Sequence, residues 1–376
     1  MILTQCAVCA TELGLSLGKK CGRCSTRYCG PECQKQHWEG GGHDKLCKKI
    51  KKAGGAEHYN ANEKYAEAVA VAAEKCADDT NGQTCYICTQ ALHWKTKEGL
   101  VRGCACRGTA GFAHVSCLAE QAKILVEDCE EKNSNDDKWE RWYECSLCEQ
   151  SYHGVVRCAL GWACWKTYVG RPEADRCQRM AMTQLGNGLF DANHHEDALA
   201  VYETEMAIKR RLGASEHAMI RVKSNLASTF RKVGRLEEAL QMRKDVYFGF
   251  LTLNGKEHRE TLVAANNYGS ILDELKRFEE AKTLLRETVP VARRIFGDCN
   301  ELTLRMRFVY TQTLYLDEGA TLDDLRESVA TLEELDRTAR RVLGAAHPIT
   351  LNIEQALRHA QPVLRARETP PMTSHT

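Results

Sequence analysis

Apolar residues return every three or four positions along most of this chain, and that rhythm predicts helix. After Cys117, the residues Leu118, Ala122, Leu125, Val126 and Cys129 share one helical face. Val155, Val156, Ala159, Leu160, Trp162, Ala163 and Tyr168 form a broad apolar stripe that stops near Gly170 and Pro172. Between Gly54-Gly55 and Asn81-Gly82, the Ala- and Glu-rich run EKYAEAVAVAAEKCA predicts a helical spacer on propensity alone. From about residue 180 the period continues as a series. Gly213, Gly255 and Gly297 are 42 residues apart; Thr261-Leu262 and Thr303-Leu304 keep the same step, and Thr350-Leu351 follows after 47. Small residues stand twelve apart at Gly186 and Ala198, Ala227 and Ala239, and Gly269 and Ala281. On successive helices such residues permit close approach, and helix pairs at a fixed period predict an α-solenoid.

Before residue 180 the rhythm is broken by cysteines, which bring in chemistry. The chain has 20 of them. Their two-residue spacing, with histidines interspersed, predicts zinc in a reducing compartment rather than disulfides. Zinc takes four N or S ligands in a tetrahedron, and one Cys-x2-Cys knuckle supplies half of that set. The first cluster reads Cys6-x2-Cys9, Cys21-x2-Cys24, Cys29-x3-Cys33, His43-x3-Cys47. The four-residue steps at Cys29/Cys33 and His43/Cys47 put each pair on one face of a helical turn. His37 is a competing histidine, but His43 alone leaves the three-residue gap before Cys47. The second cluster reads Cys85-x2-Cys88, Cys104-x-Cys106, His114-x2-Cys117, Cys145-x2-Cys148. Eight pairs imply four ions, two per cluster. Cys76, Cys129, Cys158, Cys164, Cys177 and Cys299 fall outside the pattern and read as small buried side chains.

Three resemblances follow from these residues. The first cluster resembles the MYND zinc finger: Tyr28 precedes Cys29, Gln34 follows Cys33, and His37-Trp38 precedes the last ligands. The resemblance implies one ion on Cys6, Cys9, Cys29 and Cys33 and another on Cys21, Cys24, His43 and Cys47. It also implies peptide docking, with Gln34 and Trp38 as candidate contacts; the other reading of Trp38 is packing of its short helix. The second cluster, with CRGTAGFAHVSCL (106–118) and CSLCEQSYHG (145–154), resembles the RING-CH finger. That implies interleaved sites, Cys85, Cys88, His114, Cys117 and Cys104, Cys106, Cys145, Cys148. It further implies a ubiquitin ligase that positions a ubiquitin-conjugating enzyme, which Ile87 would contact; Gln121 stands where such ligases carry an aromatic. LASTFRKVGRLEEAL (226–240) and YGSILDELKRFEEAK (268–282) resemble tetratricopeptide repeats, and Gly255-x2-His258 and Gly344-x2-His347 resemble the kinesin light chain variety. A peptide groove is implied, with Asn225 and Asn267 at matching repeat positions; an Asn amide pairs well with a peptide backbone, or with a neighbouring repeat.

The expected fold is mostly α: two small zinc-stabilised fingers followed by an α-helical tetratricopeptide solenoid. The divisions are a MYND-type finger (1–50), a helical spacer (51–82), a RING-CH-type finger (83–154), a connecting helix (155–179), a repeat array with a capping helix (180–367) and a disordered tail (368–376). Net charge is +1 and mean hydropathy −0.46. No apolar run is long enough to span a bilayer, and no bulk charge draws the chain to nucleic acid. Lys45, Lys48, Lys49, Lys51 and Lys52 read as a solvated helix end, with an acidic or nucleic-acid partner as the other reading. The expectation is a soluble protein of cytoplasm or nucleus: a RING-CH-type ligase whose finger and repeats recruit partners or, alternatively, a non-enzymatic zinc-binding adaptor.

Overall fold

The computed structural model describes residues 6–11, 13, 18–132, 138–345 and 347–368. The insertion expected between Lys132 and Lys138 and the tail from 369 onward lie outside the described residues; Glu368 closes the last helix. Two compact units divide between Ala214 and Ser215.

The first unit opens with a two-stranded antiparallel ribbon, β1 (Lys19–Lys20) and β2 (Arg27–Tyr28), with Lys19 opposite Tyr28. Helices α1 (Pro31–Glu39) and α2 (His43–Lys52) follow, then the spacer α3 (Ala56–Lys75) and the single turn α4 (Ala77–Thr80). Pro31 at the first helical position starts α1 without sacrificing a hydrogen bond. The second finger is mostly loop, stitched by reciprocal bonds between Val101 and Ala113 (2.8 and 3.1 Å) around buried Leu100, Phe112 and Val115. It contains α5 (Val115–Glu131) and a one-turn 3-10 helix at Trp139–Trp142. Trp139 and Trp142 are buried against Tyr168 with ring centroids 5.5 and 5.7 Å away. Helices α6 (Gly154–Tyr168), α7 (Arg176–Asp191) and α8 (His195–Arg211) complete this unit. Trp162 and Trp165 pack in its core. At Gly188 a Cβ would stand 2.7 Å from the Arg157 carbonyl oxygen and 2.9 Å from Cys158 Cα, so α6 and α7 touch backbone to backbone there.

The second unit is a run of helix pairs without strands among its described residues: α9 (Glu216–Lys232), α10 (Leu236–Asn254), α11 (Arg259–Glu274), α12 (Phe278–Phe296), α13 (Glu301–Tyr315), α14 (Leu322–Val342) and α15 (Pro348–Glu368). Each helix packs on the next in sequence. Ala227, Ala239 and Ala281 are fully buried at these crossings, as the twelve-residue spacing requires. The repeating Thr-Leu has a physical cause. Thr261, Thr303 and Thr350 are buried, and their hydroxyls donate back to the carbonyls of Phe250 (3.1 Å), Ala292 (3.4 Å) and Gly344 (2.9 Å). Thr261 and Thr303 thus each add a second donor to a carbonyl in the last turn of the preceding helix, and Thr350 bonds the turn just beyond α14, so a buried hydroxyl is satisfied at each junction. The Gly-x2-His turn is a helix start: His258 Nδ1 accepts from the Glu260 amide and His347 Nδ1 from the Ile349 amide. No described helix is long and apolar enough to cross a membrane.

Candidate metal centres and peptide groove

Four short loops in the first unit share one backbone turn. In each, the first cysteine's amide donates to the carbonyl five residues on: Cys6 to Thr11, Cys21 to Thr26, Cys85 to Gln90 and Cys145 to Gln150. In each, the amide four residues on donates back to that cysteine's carbonyl, from Ala10, Ser25, Thr89 and Glu149. All four of those residues have positive φ, between 53 and 62°. A non-glycine residue held left-handed needs surrounding structure to hold it there; here the paired bonds do so. The turn places two thiols side by side.

The complementary pairs come chiefly from helix starts. Cys33 lies in the first turn of α1, just beyond Cys29; His43 begins α2, one turn before Cys47; His114 caps α5, and Cys117 lies in its first turn. Cys104 and Cys106 come from a short turn instead, and a Cβ on Gly111 would meet Cys106 Cβ at 2.6 Å. The structure brings together Cys6, Cys9, Cys29 and Cys33; Cys21, Cys24, His43 and Cys47; Cys85, Cys88, His114 and Cys117; and Cys104, Cys106, Cys145 and Cys148, with the ligand atoms of each group within 4.8 Å of one another. His37 joins none of these groups; its Nδ1 pairs with the hydroxyl of buried Tyr28 at 3.0 Å.

The spacing suits a metal. Sulfur pairs lie 3.4 Å apart at Cys9–Cys29, 3.5 Å at Cys29–Cys33, 3.9 Å at Cys21–Cys47 and 3.8 Å at Cys106–Cys145. A tetrahedron with Zn–S bonds of about 2.3 Å has edges of about 3.8 Å, whereas a disulfide bond is only about 2.05 Å long. His43 turns Nε2 toward Cys24 (3.4 Å), and His114 turns Nδ1 toward Cys88 (3.3 Å) and Cys117 (3.6 Å). The remaining nitrogen of His114, Nε2, faces the Ala91 carbonyl at 3.4 Å, the outer-shell partner that orients a ligating imidazole. The amides of Ile87 and Leu147 point at Cys85 and Cys145 sulfurs, both at 3.4 Å. Such donors favour the thiolate form.

Crowded thiols oppose one another's ionisation. Thr11's hydroxyl helps hold Cys9 down to about 6, whereas hydrogen bonding from Cys29 and Cys9 pushes Cys33 up to about 12. Burial pushes Cys47 and Cys106 up to about 11. A dication would offset that repulsion. Four protein ligands also close a tetrahedral site, which is the structural form, without the open position of a catalytic metal. Donor set and spacing therefore fit four zinc-type sites, which in cores this small would supply folding energy.

The other candidate residues sit as follows. Gln34 is half-buried on α1; Trp38 is 43% exposed, with its ring 5.7 Å from that of His43, so it packs on one face and meets solvent on the other. Ile87 and Gln121 are both half-buried. Asn225 on α9 and Asn267 on α11 line one groove of about 220 Å³, with Arg221, Ser224, Val246 and Phe250 beside them. Spacing between cysteines picked out the residues that the structure brings together but missed the shared left-handed turn, whose fourth-position residues have nothing chemical in common. It also missed a fifth copy without sulfur. His93 and Thr96 occupy the two cysteine positions, the same backbone bonds run from His93 to Glu98 and from Lys97 to His93, and Lys97 has φ 60°.

Comparison with known proteins agrees with part of this. A family model for the MYND finger matches residues 6–47, and one for a tetratricopeptide repeat matches residues 261–298. No family model supports the RING-CH resemblance of the second finger. No curated protein matches the chain. Among solved structures it is similar to a Podosopora anserina putative kinesin light chain with TPR-like repeats, at 15% identity over 59% of this chain and 97% of that one, with a TM-score of 0.42. It is also similar to BtubC from P. vanneervenii, at 13% identity over 70% and 96%, TM-score 0.33. A Rap protein complexed with Competence and Sporulation Factor matches at 14% identity over 67% and 71%, TM-score 0.39.

Proposed function

We propose that this chain is a non-enzymatic adaptor, in which four zinc ions hold the two fingers and the helical repeats carry a peptide-binding groove. The observation that carries the reading is the convergence of Asn225 and Asn267 on one groove. Two amides from corresponding positions of neighbouring repeats can each pair with the backbone of an extended segment. Val246, Phe250 and Val263 supply an apolar floor for its side chains. The MYND finger is the second docking element, with Gln34 and Trp38 as its contacts. A peptide selected from a random displayed library on the intact protein tests the groove. Asn225→Ala with Asn267→Ala should weaken a groove-selected peptide at least tenfold while the helical content holds; unchanged affinity overturns the assignment.

A ligase reading rests on the crossed pairing in the second finger, where the first and third pairs meet and the second and fourth pairs meet. Ile87, inside the first knuckle, would touch the conjugating enzyme; half-buried Gln121 offers no aromatic there. Autoubiquitination across a panel of conjugating enzymes separates the two readings. Activity lost in Ile87→Ala favours the ligase, and its absence throughout favours the adaptor.

A further inference from the structure

The net charge of +1 conceals an uneven distribution. Residues 1–52 hold ten Lys or Arg and four Asp or Glu, a net +6, and the remainder of the chain carries −5. Once filled, the four-thiolate site and the site of three thiolates and one imidazole would return about three negative charges to this finger, which leaves it positive. Half of its basic residues are on α2. That helix buries His43, Cys47 and Ile50 on one side. At about 100° per residue, Lys45, Lys48, Lys49 and Lys52 fall within an arc of about 100° on the opposite side. All four are exposed, and among the described residues none is in an ion pair. Asp44, the only acid on α2, lies outside that arc. The metal-ligating side of the helix anchors it, and its other side is an unneutralised row of ammonium groups.

We infer that this lysine face of α2 binds the phosphate backbone of a nucleic-acid duplex without reading its sequence. The row runs about 10 Å along the helix, seven residues at about 1.5 Å each. A duplex presents one negative charge per ~1.7 Å of its axis, dense enough to meet every lysine at once. Carboxylates on a flexible acidic peptide must first be ordered to do the same. The arc has no apolar side chain to enter a bilayer, unlike a membrane-surface helix. It also has no Arg, Asn or Gln to address base edges, so contact stops at the backbone. This binding is separate from the peptide groove of the repeats and uses none of its residues.

The test is fluorescence anisotropy of the full-length zinc-loaded protein with a labelled 20-base-pair DNA duplex of arbitrary sequence. A poly-glutamate peptide and phosphatidylserine vesicles serve as the other two probes. Four phosphate contacts give a slope of log K against log salt near −3.6, so affinity should fall about 150-fold between 50 and 200 mM salt. The variant K45Q/K48Q/K49Q/K52Q should retain its zinc and lose most of that slope, about one unit per lysine. The variant K232Q/K244Q/K256Q/K276Q makes the same change in net charge on the second unit and should bind the duplex as the wild type does. Three results would each overturn the inference: poly-glutamate or vesicles bound as tightly as the duplex, a slope unaffected by the α2 substitutions, or an equal loss in the control variant.

Discussion

Asp273, near the end of α11, is a carboxylate in the wrong surroundings. It is half-buried, its Oδ1 is enclosed without a hydrogen-bond partner, and Glu274 stands next to it. Burial first, and that like charge second, push its carboxyl up to about 6 from an ordinary 3.8. A carboxyl raised on folding favours the native state while it is protonated. Its contribution is complete below the unfolded value and is lost as pH rises through the folded one. At about 1.4 kcal/mol per pKa unit, the ionised group costs about 3 kcal/mol at pH 7.5 and about 1.6 at pH 5. Asp273→Asn removes the charge at nearly constant volume. The variant should be more stable by about 1–3 kcal/mol at pH 7.5, the lower end allowing for an amide without partners. Its advantage should shrink by about 1.4 kcal/mol at pH 5. For a unit of this size that is a change of about 3–5 °C in the midpoint difference. Thermal scans of both proteins, followed by helical circular dichroism between pH 5 and 7.5, measure it. A variant less stable than wild type, or an advantage independent of pH, would show that Asp273 has a stabilising role that its surroundings do not reveal.

Two further outcomes follow from the packing and the metal clusters. Zinc analysis should find four ions per chain, and a strong chelator should abolish the cooperative melting of the fingers while the transition of the helices from Ser215 onward persists in calorimetry; loss of both together would refute a structural role confined to the first unit. Gly188→Ala gains about 1 kcal/mol of helix propensity but forces a Cβ against the Arg157 carbonyl and Cys158 Cα, so a net loss of about 1–2 kcal/mol is expected; Gly99→Ala, whose Cβ would meet only Ala73 Cβ at 3.5 Å, should be near neutral by denaturant titration.

Much of this architecture is visible in the residues because each device has a period. Thr261 and Thr303 repeat at 42 because each returns a hydroxyl to the preceding helix at the same place. The paired small residues repeat because the α7–α8, α9–α10 and α11–α12 crossings each use one such pair. The candidate metal ligands are legible for a different reason: Cys and His at close spacing have few other uses. What escapes is whatever depends on distant backbone. Nothing about Gly161 or Gly188 in isolation says that α6 and α7 meet there, yet a Cβ on Gly161 would lie 2.9 Å from the Gln184 carbonyl. That fit ties the first helix pair of the repetitive region to the finger-bearing unit, so the compact units divide after Ala214 although the helical period starts near residue 180. The lysine face escapes an averaged charge for the same reason; only the helix places Lys45 beside Lys49 and turns both away from His43.

The sulfur-free loop at His93 has a bearing on how the fingers come to be loaded. It holds the geometry of the four cysteine loops with an imidazole and a hydroxyl in place of thiols, Nδ1 to Oγ1 at 2.8 Å. Main-chain bonds are therefore enough to shape such a loop before any ion arrives. A newly made chain then meets an incoming ion with loops that its own backbone already favours, and the ion's part is to draw the two halves of each cluster together into a cooperative finger.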